Sequence, residues 1–284
     1  MAVNKVKMRL QGHEKFLLRE GWINKGLRII PTQSDAFIVK EAPDIFGIGN
    51  NMVKSLRYWM KSMGLTNENG SELSALGKII AKYDPYLEKD FTLWLLHSHI
   101  AKNIKEATTW FMFFNKCDVE EMEKDQIEQI LFREISKYAS GQSFSEKSLG
   151  VDIDVLLNMY SKTKDKIDPE DKSISPFVRL GLVKKVEGKY VKSHPILNCF
   201  SEMIVLYEVS LKLEDRESVS IEDIIENENG LRKIYNLTNV MANALLDKLD
   251  AAGYIRVDRT AGLDMIYQVE KLNPEKIIED YYTN

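Results

Sequence analysis

The chain is poor in cysteine. Its 284 residues include only Cys117 and Cys199, 82 positions apart. Two thiols that far apart make neither a disulfide framework nor a metal cluster. They point to a reducing cytoplasm in which both serve as small core hydrophobes. Long apolar runs are also missing. The longest uncharged stretch, residues 91–101, has 11 residues and includes two histidines, whereas a membrane span needs ~20 apolar residues. The opening MAVNKVKMRL has no apolar core of a signal peptide, so no secretory signal is expected. Seven prolines and 15 glycines exclude collagen-like and linker-like architectures. The net charge of −4 excludes a uniformly basic nucleic-acid binder. What remains is 44% hydrophobic and 29% charged, enough to bury a core. At roughly 150 residues per domain the length suggests two domains or three small ones.

The charge is unevenly placed. Residues 1–66 carry eleven Lys and Arg against five acids, a net of +6, which leaves −10 on the remaining 218 residues. Such polarity bears on partners rather than on fold.

Three places share one pattern: a helical stretch, a glycine, an apolar residue and a strand-like run. They are Met63-Gly64-Leu65, Leu180-Gly181-Leu182 and Ala252-Gly253-Tyr254. Glycine suits a helix end because it adopts the left-handed conformation that caps the last carbonyls. Residues 182–186 and 189–191 read as one β-hairpin and residues 254–257 and 265–269 as another. After Gly64 only Ser71-Glu72-Leu73 could form a short strand. In the first unit, residues 35–40 read as a short helix and Gly47-Ile48-Gly49 as a turn. Residues 51–63 then form a second helix with an apolar stripe of Met52, Leu56, Trp59, Met60 and Met63. Residues 126–138 and 143–160 supply two helical regions of the second unit. In the third, Thr238 or Asn239 caps a helix carrying Val240, Ala244, Leu245 and Leu249.

The predicted fold is therefore mostly α (α+β), with three winged-helix-like modules joined by an aromatic helical hub. The first module spans residues 1–82 and is basic. The hub spans 83–117, and two further modules span 118–197 and 198–284. The hub contains Trp94, Trp110, Phe111, Phe113 and Phe114, and it is too apolar to remain a wet stacking platform for bases.

Catalytic constellations are scarce. His97 and His99 point about 200° apart on a helix, so they cannot chelate one ion. His13 and His194 have no ligand at zinc spacing. Gly47-Ile48-Gly49 lacks the glycine, lysine and strand context of a dinucleotide or phosphate loop. Asp152 and Asp154 read as a solvated helix face rather than a metal site. No nucleophile, cofactor or metal is expected, and the chain reads as a non-enzyme.

The pointed feature is the second helix of the first module. Lys54, Arg57 and Lys61 follow each other at i, i+3 and i+7, on one side of that helix. Asn50, Asn51 and Ser55 flank its start. A helix that enters a major groove needs such a face, in which Asn and Arg read base edges and Lys neutralises phosphate. Lys15 and Arg19, with the basic arm of Lys5, Lys7 and Arg9, would add phosphate contacts. The expected partner is duplex DNA. The rival expectation is a scaffold that binds only proteins.

Several stretches resemble the bacterial family known as domain of unknown function 4007. They are Gly12-His13-Glu14-Lys15-Phe16-Leu17-Leu18-Arg19-Glu20-Gly21-Trp22, Gly47-Ile48-Gly49-Asn50-Asn51-Met52-Val53-Lys54-Ser55-Leu56-Arg57-Tyr58-Trp59, Leu76-Gly77, Asp84-Pro85-Tyr86-Leu87-Glu88, Thr92-Leu93-Trp94-Leu95-Leu96-His97, Ala107-Thr108-Thr109-Trp110 and Thr260-Ala261-Gly262-Leu263. The resemblance spans nearly the whole chain and is densest in the first 115 residues. It implies a companion of DNA-modification and phage-defence genes, notably those that place sulfur in the DNA backbone. It favours DNA as a partner and assigns no catalytic residue; the acidic remainder of the chain would face a partner protein of the same system.

Overall fold

The structure, a computed structural model, describes residues 6–163 and 174–284. It is mostly helical, with two small antiparallel sheets. The chain separates into two compact units, residues 1–193 and 194–284.

The first unit begins with α1 (Trp22–Ile29), α2 (Ala42–Phe46), α3 (Asn50–Ser62) and α4 (Ala75–Tyr83). Residues 35–40 form turns, not the expected short helix. The helix starts later because Pro43 is tolerated only in a first turn, where its missing N–H costs nothing. Gly47, at φ 60°, ends α2 and turns the chain into α3. The expected stripe of α3 is buried at Leu56, Trp59, Met60 and Met63, while Met52 is only half-buried. Gly26 of α1 lies so close that an added Cβ would sit 1.9 Å from the Met60 sulfur. The strand considered at residues 71–73 is reduced to a single bridge between Thr66 and Leu73. The first module therefore has no hairpin among the described residues. Its short segment is instead turned back by Gly70, at φ 73°, and ended by the Ser74 cap of α4.

Helices α5 (Asp90–Lys102) and α6 (Thr108–Lys116) form the hub. Both are apolar nearly all round, as central helices are. Trp94 and Trp110 are buried. Helix α6 packs on α5 and on the next two helices, α7 (Lys124–Ala139) and α8 (Glu146–Ser161). A two-residue strand, β1 (Glu121–Met122), precedes α7. After α8, a 3₁₀ turn (Pro176–Leu180) leads to the hairpin β2 (Val183–Val186) and β3 (Lys189–Lys192). The order β1-β3-β2 puts β3 in the centre, with Lys184 opposite Val191 and Met122 opposite Tyr190.

The second unit runs α9 (Glu202–Lys212), β4 (Ser218–Ser220), α10 (Ile221–Ile225), α11 (Leu231–Tyr235), α12 (Asn239–Ala251), β5 (Ile255–Asp258), β6 (Met265–Gln268) and α13 (Pro274–Thr283). Thr238 caps α12 by accepting from the Met241 amide. Its sheet repeats the first arrangement, order β4-β6-β5, with Ile266 flanked by Val219 and Val257. All three pattern glycines, Gly64, Gly181 and Gly253, have positive φ. Cys117 is buried, as expected. Cys199 is exposed, because it falls on the short 3₁₀ turn Leu197–Cys199 rather than inside a helix.

Candidate nucleic-acid interface

Helix α3 is covered along most of its length. Helices α1 and α2 pack on one side. On another, the segment before α1 lies flush against Tyr58. A Cβ on Gly12 would come 2.4 Å from that ring, and Arg9 sits over it at 5.3 Å. The predicted site residues therefore part company. Asn50, Asn51 and Lys54 are exposed at the start of α3, and Lys54 Nζ lies 3.4 Å from Asn51 Oδ1. The N-cap is Gly49, which has no side chain to accept from the first-turn amides. Those donors and the positive end of the helix dipole face outward. Lys25 backs the turn by donating to the Phe46 carbonyl at 2.8 Å.

One expectation for this face is corrected, and two of its cations are engaged within the chain. Ser55 is buried, donating toward the Phe16 carbonyl at 3.5 Å, because its helical position faces the N-terminal segment. Arg57 donates to the Asn69 carbonyl at 2.6 Å, and so braces the turn before α4. Lys61 does not project freely. It reaches Glu106, in the loop between α5 and α6, at 3.1 Å. Lys15 is exposed in a left-handed conformation. Arg19 packs over Phe16 and Trp22 at 5.7 and 5.5 Å, which leaves it half-buried. Lys5 lies outside the described residues.

Two clusters went unseen in the sequence. In the first, Glu106 gathers three cations: Lys7 at 2.8 Å, Arg9 at 2.9 Å and Lys61 at 3.1 Å. Burial pushes the Glu106 carboxyl up, but hydrogen bonds from Lys7, Arg9 and Lys61 outweigh it and hold it at about 2. The second cluster is buried. Asp152 Oδ1 accepts from the Gln11 amide at 2.7 Å and lies 2.8 Å from His13 Nε2. Its Oδ2 accepts from Thr109 at 2.8 Å. The reading of Asp152 as a solvated face is thus corrected: it is 2% exposed, whereas Asp154 is 55% exposed and pairs with Lys124. The helical period puts the two aspartates on different faces of α8. His13 stacks on Trp59 and meets Trp110 edge-on, and its Nδ1 is buried without a hydrogen-bond partner. Sequence signals for these clusters are absent, because their partners lie 43 to 141 residues apart. His97, expected to be structural, is buried against Tyr160, with Nδ1 2.7 Å from the hydroxyl.

Comparison with known proteins sets this geometry in context. Two crystal structures share the fold at a TM-score of 0.83. One is a magnesium-ion-bound SspB at 20% identity, the other an SspB at 21%. Each alignment covers 97% of this chain and 88% of the other. No curated protein matches. The pattern of the family of proteins of unknown function DUF4007 matches residues 10–282, and on that near-complete match the chain belongs to this family.

Proposed function

We propose that the protein is a non-enzymatic DNA-binding adaptor of a bacterial DNA-modification or phage-defence system, and that it contacts duplex DNA at the start of α3. The observation that carries this reading is the exposed Asn50-Asn51-Lys54 end, where open first-turn amides and a cation meet. A helix N-terminus of this kind favours a phosphate. The excess of cations in residues 1–66 supports it. The helix–helix–hairpin stretches of residues 118–197 and 198–284 are read as winged-helix-like modules. On α12 the exposed Asp247, paired with Arg259, and Asp250, which accepts from the Val257 amide, make that helix less suited to phosphate than α3.

Magnesium in one fold neighbour raises metal-assisted chemistry as a second reading. The residues described here do not fit an ion held by protein ligands alone. No three His, Cys, Asp or Glu side chains come together as a metal site among them, and the His13–Asp152 pair is enclosed by aromatic rings.

The test is an anisotropy titration of random-sequence duplex DNA at several salt concentrations. Wild type should show a linear fall of log affinity with log salt. Lys54→Ala should flatten that slope by about 0.9, one phosphate contact, and weaken binding on all sequences alike. Salt-independent or absent binding at ~50 mM salt would replace the DNA reading with a protein scaffold. A parallel incubation of supercoiled plasmid with and without magnesium checks the non-enzymatic half. Magnesium-dependent relaxation would overturn it.

A further inference from the structure

The geometry points to a second phosphate-binding surface at the far end of α3, where we propose that Glu106 competes with DNA for Lys7, Arg9 and Lys61. The inference rests on the DNA reading above and adds to it a regulation by Glu106, which that reading does not use.

Three cations share one hydrogen-bonded carboxylate, and Glu68 acts on Lys7 only through space, so the cluster keeps an excess of positive charge. Lys7 and Lys61 both bind Oε1, and Arg9 binds Oε2. The two ammonium groups therefore lie within two hydrogen-bond lengths of each other. Holding like charges this close requires an anion between them, and the carboxylate fills the place a phosphate oxygen pair would take. The cations are not sealed in. The side chains of Lys7 and Arg9 are 56% and 42% exposed and that of Lys61 is 23% exposed, whereas Glu106 is 9% exposed. A lysine has three N–H donors and an arginine five, so most donors remain open to a second oxyanion.

The cations are also positioned from behind. The Arg9 amide donates to Thr108 Oγ1 at 2.9 Å, and its guanidinium lies over Tyr58. The Lys7 carbonyl accepts from the Tyr138 hydroxyl at 3.3 Å. These bonds fix the segment that carries both side chains, so an incoming phosphate meets a site already ordered. Placement along α3 adds continuity. Lys54 and Lys61 are seven residues apart on one side of the helix, about 10 Å along its axis. That is about three phosphate steps at ~3.4 Å of duplex axis per strand. One duplex can therefore lie across both ends of the ridge.

Glu106 then tunes affinity by neutralising one cation. Removing its charge while keeping an acceptor should free that cation for DNA. The experiment compares wild type, Glu106→Gln and Lys7→Ala on the same labelled random duplex between ~50 and ~300 mM salt, with thermal melts as the folding control. Glu106→Gln should tighten binding several-fold at the lowest salt and steepen the log–log slope by about 0.9. Lys7→Ala should flatten it by about 0.9. Lys7 is largely exposed, so that arm stands even if Glu106→Gln does not fold. An unchanged slope in either folded variant, while Lys54→Ala still weakens binding, overturns this inference alone and leaves the DNA reading standing. Absence of wild-type binding overturns both. Inorganic phosphate, titrated against chloride of equal ionic strength, should displace the duplex no better than chloride does. Specific displacement at low millimolar phosphate would mark a free-phosphate site and overturn the assignment to DNA.

Discussion

Asp152 illustrates what one residue does at a distance. Its carboxylate gathers the Gln11 amide, His13 and Thr109, and so joins the segment before α1 to α6 and α8. A buried charge stripped of its partners, or buried donors stripped of their acceptor, costs far more than a surface pair gains. Asp152→Ala should therefore lower unfolding free energy by about 3–5 kcal/mol. Asp154→Ala, at an exposed pair with Lys124, should change it by no more than about 0.5 kcal/mol. Urea melts of the two variants check this, and equal midpoints would refute the buried role. The sequence presents these aspartates as a matched acidic pair. Only the α8 rotation relative to His13 and Thr109 separates them.

Among the elements, α3 and α4 are tied by one hydroxyl. Ser74 accepts from the Gly77 amide at 3.0 Å and donates to the Gly64 carbonyl at 2.6 Å. It thus satisfies an open amide at the start of α4 and a carbonyl beyond the end of α3. Gly64 itself is held at φ 70°, with His99 Nδ1 2.6 Å from where a Cβ would sit. Ser74→Ala removes both bonds and should cost about 1–2 kcal/mol, the upper range for a lost N-cap. Ser74→Asp, which keeps the acceptor, should recover part of it. Thermal melts of the two variants distinguish capping from simple packing: equal losses would show that the cap contributes nothing. Capped helix starts such as this are local in sequence and therefore readable. The strands β1 and β4 are not, because two or three residues carry no usable alternation and pair only once β3 and β6 are in place.

For the molecule as a whole, the cation cluster links stability to pH. Glu106 is held at about 2 against an ordinary value of 4.5. A carboxyl depressed in the folded state stabilises it above the unfolded pKa and loses that contribution as pH falls through the folded one. The protein should therefore lose stability progressively between pH 4.5 and about 2 through this group. With two of the three cationic partners largely exposed, screening limits the effect to about 1–2 kcal/mol. Glu106→Gln should be less stable than wild type at neutral pH by about that amount, and the two should converge near pH 2. Parallel melts at pH 7 and pH 3 measure the difference, and a constant gap between the curves would refute the linkage.

Helix stripes, glycine-capped helix ends, the two hairpins and the burial of Trp94 and Trp110 follow from the sequence itself. Each depends on a period of 2 or 3.6, on a left-handed glycine or on sheer apolarity, and these act over a few residues. Which side of α3 faces water does not follow. Its basic spacing at residues 54, 57 and 61 is a correct statement about one helix face. The fates of those side chains depend on Asn69 and Glu106, and the burial of Ser55 depends on Phe16, all brought there by chain folding. Ion pairs and buried polar contacts need partners placed to within an ångström or so, and residues as distant as Gln11 and Asp152 acquire that placement only when the tertiary packing is complete.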